Sequence, residues 1–105
     1  GSSIRFNLKE LPAFTVWKNT AARENGYVTG LEPATNYPNE KRFERERGRV
    51  VRLRGKSSYN ITMTVAAHGS RAEVKAVEQD IAKIQGRRKP VVHLTPKPHL
   101  SDLSS

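Results

Sequence analysis

Apolar and polar residues alternate at the start of the chain, where Ile4, Phe6 and Leu8 are separated by Arg5, Asn7 and Lys9. A period of two sets one face of a strand against the core, and Pro12 breaks it. Phe14, Val16 and Trp17 form a second β-rich run that gives way to polar sequence from Asn19 to Gly26. Tyr27 to Leu31 reads as a third strand, closed by Glu32-Pro33 because proline lacks the N–H that sheet pairing needs. Ala34 to Gly48 is charged and rich in turn formers (Asn36, Pro38, Asn39), as expected of a loop. Arg49 to Leu53 predicts a short strand, and Arg54-Gly55-Lys56 a turn. The clearest alternation follows, with Tyr59, Ile61, Met63 and Val65 on one side and Asn60, Thr62, Thr64 and Ala66 on the other.

The period then changes. Ser70-Arg71-Ala72-Glu73 is a capping-box sequence, in which the serine oxygen accepts an orphan N–H and the glutamate reaches back. Val74, Val77, Ile81 and Ile84 recur at three- and four-residue spacing, one apolar stripe on a helix over about 70–85 that should pack on the sheet of its own domain. Gly86 suits the residue after the helix, with Arg87, Arg88 and Lys89 beside its negative end. Val91, Val92 and Leu94 suggest one more short strand. The expected organisation is a cloning remnant at 1–3, a mainly β domain over 4–95 with one helix, and a flexible tail at 96–105.

Composition alters this picture in one respect. A chain of 105 residues with 35% hydrophobic and 28% charged residues is polar for a domain that must fold alone. It is expected to pack against further protein. There is no cysteine, which removes disulfides and thiolate metal sites and fits a cytoplasmic setting. No apolar run approaches the roughly 20 residues that span a bilayer. The net charge of +9 raises nucleic acid as a partner, because phosphate contacts dominate such binding. Against it, Glu44 and Glu46 interrupt the arginines between Lys41 and Lys56, and Phe43 is the one aromatic available there for base stacking.

The residues that carry chemistry lie between Leu11 and Asn39. Glu32, at the end of an apolar strand and beside a proline, is expected to be partly desolvated, which favours a carboxylate with useful base strength. Trp17 offers the kind of flat face on which sugar rings stack. An ordinary strand-end glutamate with a core tryptophan is the plain alternative, and the residues alone leave it open.

The combination of Leu11-Pro12, Phe14, Trp17-Lys18-Asn19-Thr20, the run Gly26 to Pro33, then Asn36 and Pro38, resembles an uncharacterised branch of the galactose-mutarotase-like, aldose 1-epimerase proteins. The similarity continues through Arg42–Arg49 into the strand at Tyr59–Val65. It implies the C-terminal portion of a β-sandwich that holds a monosaccharide, with no metal or cofactor. It also implies that Glu32 takes a proton from the anomeric hydroxyl, while Trp17, Lys18 and Asn36 line the sugar site. Ala34 stands where better-known members have glutamine, which leaves the sugar open. The histidine that serves as acid in that family lies earlier in its fold; His68, His93 and His99 do not match it. The chain is thus expected to be inactive alone and to need the remainder of its sandwich. A non-catalytic carbohydrate-binding or structural module is the second reading, and a basic nucleic-acid-binding domain the third.

Overall fold

The computed structural model describes residues 1–102. Four strands form two antiparallel two-stranded sheets: β1 (Ser2–Phe6) pairs with β4 (Met63–Ala67), and β2 (Ala13–Lys18) with β3 (Thr29–Ala34). A short helix α1 (Lys41–Glu46) and a longer helix α2 (Arg71–Gln85) complete the regular structure, with one 3-10 turn at Arg23–Asn25. The β-rich first two thirds and the single long helix follow the hydrophobic periodicity.

α2 follows its sequence signals closely. Ser70 Oγ accepts the Glu73 N–H at 3.2 Å, and the Glu73 carboxylate accepts the Ser70 N–H at 2.9 Å. Gly86, at φ 59°, donates its N–H to the Ala82 carbonyl, and the Arg88 side chain reaches the Ile84 carbonyl at 3.1 Å. The apolar stripe, however, does not pack as expected. A groove of about 600 Å³ separates Val77, Ile81 and Ile84 from Ser3, Thr64 and Ala66 of the first sheet, and Ile81 and Ile84 are mostly exposed.

The strand boundaries differ from the alternation for physical reasons. β1 begins at Ser2, since Ser2 and Ser3 pair with Ala67 and Ala66; these residues, read as a remnant, belong to the ladder. It ends at Phe6 because Asn7 opens a turn, its side chain accepting the Lys9 N–H and its carbonyl the Glu10 and Leu11 N–H groups. The partner strand therefore starts only at Met63. Residues 59–62 turn instead to Glu10: Tyr59 Oη donates to its carbonyl and the Thr62 N–H to its carboxylate. β3 runs on through Glu32 and Pro33 to Ala34. In a two-stranded sheet each strand has a free edge, where a proline without an N–H is tolerated. The segments 49–53 and 91–94, expected as strands, find no strand partner, and neither is one.

The stretch read as a loop contains α1, which has only Phe43 as an apolar residue and so gives no stripe to read. Glu44, at the middle of α1, is fully buried. Of the segment expected as a loose tail, residues 98–102 dock beside it, and 103–105 lie outside the described residues. Arg47 donates to the Pro98 carbonyl, Arg49 to the His99 carbonyl, and Asn39 to the Leu100 carbonyl, while Asp102 accepts the Glu40 N–H.

Little apolar surface is covered. Leu11 and Ala13 are the buried hydrophobic residues among those described. The accessible surface is 9338 Å², against about 5,900 Å² for a compact monomer of this mass. The radius of gyration is 17.0 Å, against roughly 13 Å for a compact domain of this length.

Candidate functional site

The pairing of β2 with β3 decides which predicted site residues meet. Thr15 lies opposite Glu32, and Trp17 opposite Gly30. Directly opposed residues share a face, as do residues two apart along a strand. Glu32 and Trp17 therefore share one face with Ala13, Thr15, Gly30 and Ala34. Glu32 lies inside β3 rather than at its end, and its carboxylate folds down over Gly30. A Cβ at position 30 would stand 2.6 Å from Glu32 Oε1 and 3.4 Å from Trp17 Cβ. The missing side chain is what leaves room for the Glu32 carboxylate beside the Trp17 Cβ. Both are exposed, Trp17 by 50%.

Lys18 is one residue on from Trp17 and belongs to the opposite face of the sheet. It is not brought to Glu32 by this pairing. Asn36 lies beyond β3 and lines a cavity of about 340 Å³, together with Lys9, Ala13, Tyr37, Arg49 and Tyr59. That volume falls in the range of small-ligand sites, roughly 300–1,000 Å³. Ala13 and Ala34 are paired on the face that carries Glu32. At a rise of about 3.4 Å per residue, Glu32 stands some 7 Å along β3 from that pair. Glu32 is thus on the face that leads to the cavity, but its carboxylate, folded over Gly30, lies away from that end and does not line the cavity. Asn36 is already engaged: its Nδ2 donates to the Tyr37 carbonyl at 2.8 Å, and its Oδ1 accepts from Thr35 Oγ1 at 3.2 Å.

The wall of the cavity rests on a group that the hydrophobic pattern did not single out. Four N–H donors converge on the buried Glu44 carboxylate. Asn39 Nδ2 at 2.7 Å and Arg49 Nη2 at 2.5 Å share Oε1; the Tyr37 N–H at 3.2 Å and Arg49 Nε at 2.7 Å share Oε2. This is a forked arginine–carboxylate pair. The local backbone sets it up. The Arg49 N–H bonds to the Glu44 carbonyl and the Gly48 N–H to the Arg45 carbonyl, a Schellman ending with Gly48 at φ 68°. That left-handed residue turns the chain back so that the Arg49 side chain returns to the carboxylate. Chiefly through the Arg49 hydrogen bonds, the Glu44 pKa falls from an ordinary 4.5 to about 2. The same bonds push Arg49 upward. A signal existed in the sequence, namely Glu44 and Arg49 flanking Gly48, but it is not a periodic one.

The same contacts bear on the basic run. Arg49 is committed to Glu44, Arg47 lies 3.4 Å from the Phe43 ring centroid, and Arg42 pairs with Glu46 at 3.0 Å. These three have partners within the chain, the Arg42–Glu46 pair at the exposed surface. His68 Nε2 hydrogen-bonds Ser3 Oγ at 2.9 Å, on the first sheet. His99 meets Arg49 through its carbonyl, and none of the three histidines lines the cavity. Among the described residues no group of three or more metal-ligating side chains gathers, and no helix is long and apolar enough to cross a membrane.

A family model described as Domain of unknown function (DUF4432) matches residues 1–67. The chain belongs to this family. The DUF4432 match takes in all four strands, α1 and the cavity-lining residues, and it ends on Ala67, the last residue of β4. α2 lies beyond it. No curated protein and no solved structure matches the chain.

Proposed function

We propose that this DUF4432 chain is the carbohydrate-binding part of a galactose-mutarotase-like, aldose 1-epimerase protein, with Glu32 as general base. The reading is supported chiefly by one arrangement: a carboxylate and a tryptophan share a sheet face that leads to a cavity lined by Asn36, Tyr37 and Tyr59. An aromatic face with a few placed polar groups suits a monosaccharide. In this reading Trp17 stacks on the sugar, Asn36 and the cavity wall orient its hydroxyls, and Glu32 accepts the proton of the anomeric hydroxyl. In this reading the donor to the ring oxygen is supplied by the rest of the sandwich, since none of the three histidines lines the cavity. Lys18, on the other face, has no part in the site.

The rival is a non-catalytic carbohydrate module, favoured by the gap between Glu32 and the cavity. Added imidazole separates the two, because imidazolium can act as the missing acid. Polarimetry on a freshly dissolved sugar should show no acceleration by the chain alone. With imidazole present, the chain should exceed the buffer rate, and Glu32→Gln should remove that excess while sparing sugar binding. Sugar binding without any Glu32-dependent excess would leave the non-catalytic module standing.

A further inference from the structure

The charged side chains that line the candidate site carry one sign. In the cavity of about 340 Å³ they are Lys9 and Arg49, and no described aspartate or glutamate lines it. A second cavity of about 360 Å³ shares Thr35, Asn36, Val50 and Val51 with the first, and its charged lining residue is Lys41. The three cations differ in what balances them. Arg49 is matched by the forked pair with Glu44, and its Nη1 donates to the His99 carbonyl at 2.8 Å. Lys9 and Lys41 are both exposed, and neither side chain has an ion pair or hydrogen bond among the described residues. Glu10, beside Lys9 in sequence, turns its carboxylate to the Thr62 N–H, which donates at 2.8 Å. The shared wall also holds spare donors. Val50 and Val51 lie outside every strand and helix, and their N–H groups meet no acceptor among the described residues.

We infer, within the carbohydrate reading on which this rests, that the sugar is an acidic monosaccharide with its carboxylate or phosphate paired to Lys9. An ammonium without a partner and N–H groups without acceptors favour an anion over a neutral hydroxyl, since a charge-assisted hydrogen bond is about twice as strong as a neutral one. Lys41, across the shared wall, adds positive potential without lining the first cavity. The rest of the lining is not what a bare anion needs. Pro12, Ala13 and the rings of Tyr37 and Tyr59 offer apolar surface suited to a pyranose. Lys9 itself sits in the turn that follows β1, where the Asn7 side chain accepts its backbone N–H at 2.9 Å. The turn thus fixes the lysine backbone at the cavity and leaves its ammonium free for the anion.

Glucose, glucuronate, glucose 6-phosphate and inorganic phosphate are each titrated into the isotopically labelled 105-residue chain, with amide and side-chain resonances followed by NMR. Both acidic sugars should shift the resonances of Lys9, Asn36, Tyr37 and Val50. They should bind about tenfold more tightly than glucose at low salt, a margin that shrinks as salt screens the pair. Whichever of the two binds more tightly names the anion, carboxylate or phosphate. Lys9→Gln, an exposed change that should leave the α2 resonances in place, should bring both acidic sugars down to the level of glucose. Glucose binding at the cavity as tightly as the acidic sugars, or an acid preference untouched by Lys9→Gln, would overturn the inference and leave the carbohydrate reading standing. Inorganic phosphate matching glucose 6-phosphate, or no shift at the cavity with any sugar, would overturn both.

Discussion

Replacing Glu44 by glutamine should release the segment around α1. Its two oxygens each accept two N–H donors, four in all. An amide supplies one oxygen and one NH2 group. Whichever way it turns, the NH2 faces two donors: Asn39 Nδ2 with Arg49 Nη2, or the Tyr37 N–H with Arg49 Nε. Arg49 also loses the charge that balances it in a buried place. Removing one partner of a buried pair costs about 3–5 kcal/mol, a large share of the roughly 5–15 kcal/mol that holds a domain together. With Leu11 and Ala13 as the buried apolar residues among those described, no large core offsets the loss. Hydrogen exchange followed by NMR is the assay. A cost of about 3 kcal/mol corresponds to more than a hundredfold loss of protection. It should appear at the amides of Gly48, Arg49, Leu100 and Ser101, and far less in the β1–β4 ladder. Protection unchanged within a factor of about two in the Gln variant, about 0.4 kcal/mol, would refute the reasoning.

The same group sets an acid limit. Its folded pKa is depressed to about 2, so its contribution is complete above the ordinary 4.5 and declines as pH falls towards 2. A pH series of thermal melts should show Tm dropping across that window in the wild type, with a smaller drop in Glu44→Gln. Ser70→Ala removes the acceptor of the Glu73 N–H and should cost about 1 kcal/mol, read as reduced helicity by circular dichroism. Gly30→Ala should keep the fold, since Gly30 has no left-handed φ, but should displace the Glu32 carboxylate from its place over position 30. A shifted side-chain carboxyl carbon resonance for Glu32 is the expected sign, and an unchanged one would contradict that placement.

What the residues disclosed of this fold was set by how local the cause was. The α2 helix was legible to within a residue because its cap, stripe and Gly86 ending all lie within one segment. The strand ends were less so, since β4 begins at Met63 only because Asn7 turns β1 away, more than fifty residues earlier. α1 gave no periodic signal, being held by Glu44, Arg49 and the carbonyls of residues 98–100. At the site, Glu32 and Trp17 were readable as a pair of residue types, but only the register puts them on one face and Lys18 on the other. Asn36 was named for the site, but the cavity wall beside it rests on Glu44, Gly48 and Arg49, whose signal is not a periodic one.

The carbohydrate reading is tested most directly by titrating monosaccharides, neutral and anionic, into the labelled chain and following its backbone and side-chain resonances. Saturable shifts should gather at Trp17 and Glu32 and at the cavity residues Asn36, Tyr37 and Tyr59, leaving Lys18, Val16 and Leu31 on the other face unmoved. Shifts that saturate elsewhere, or none with any sugar in the series, would contradict it.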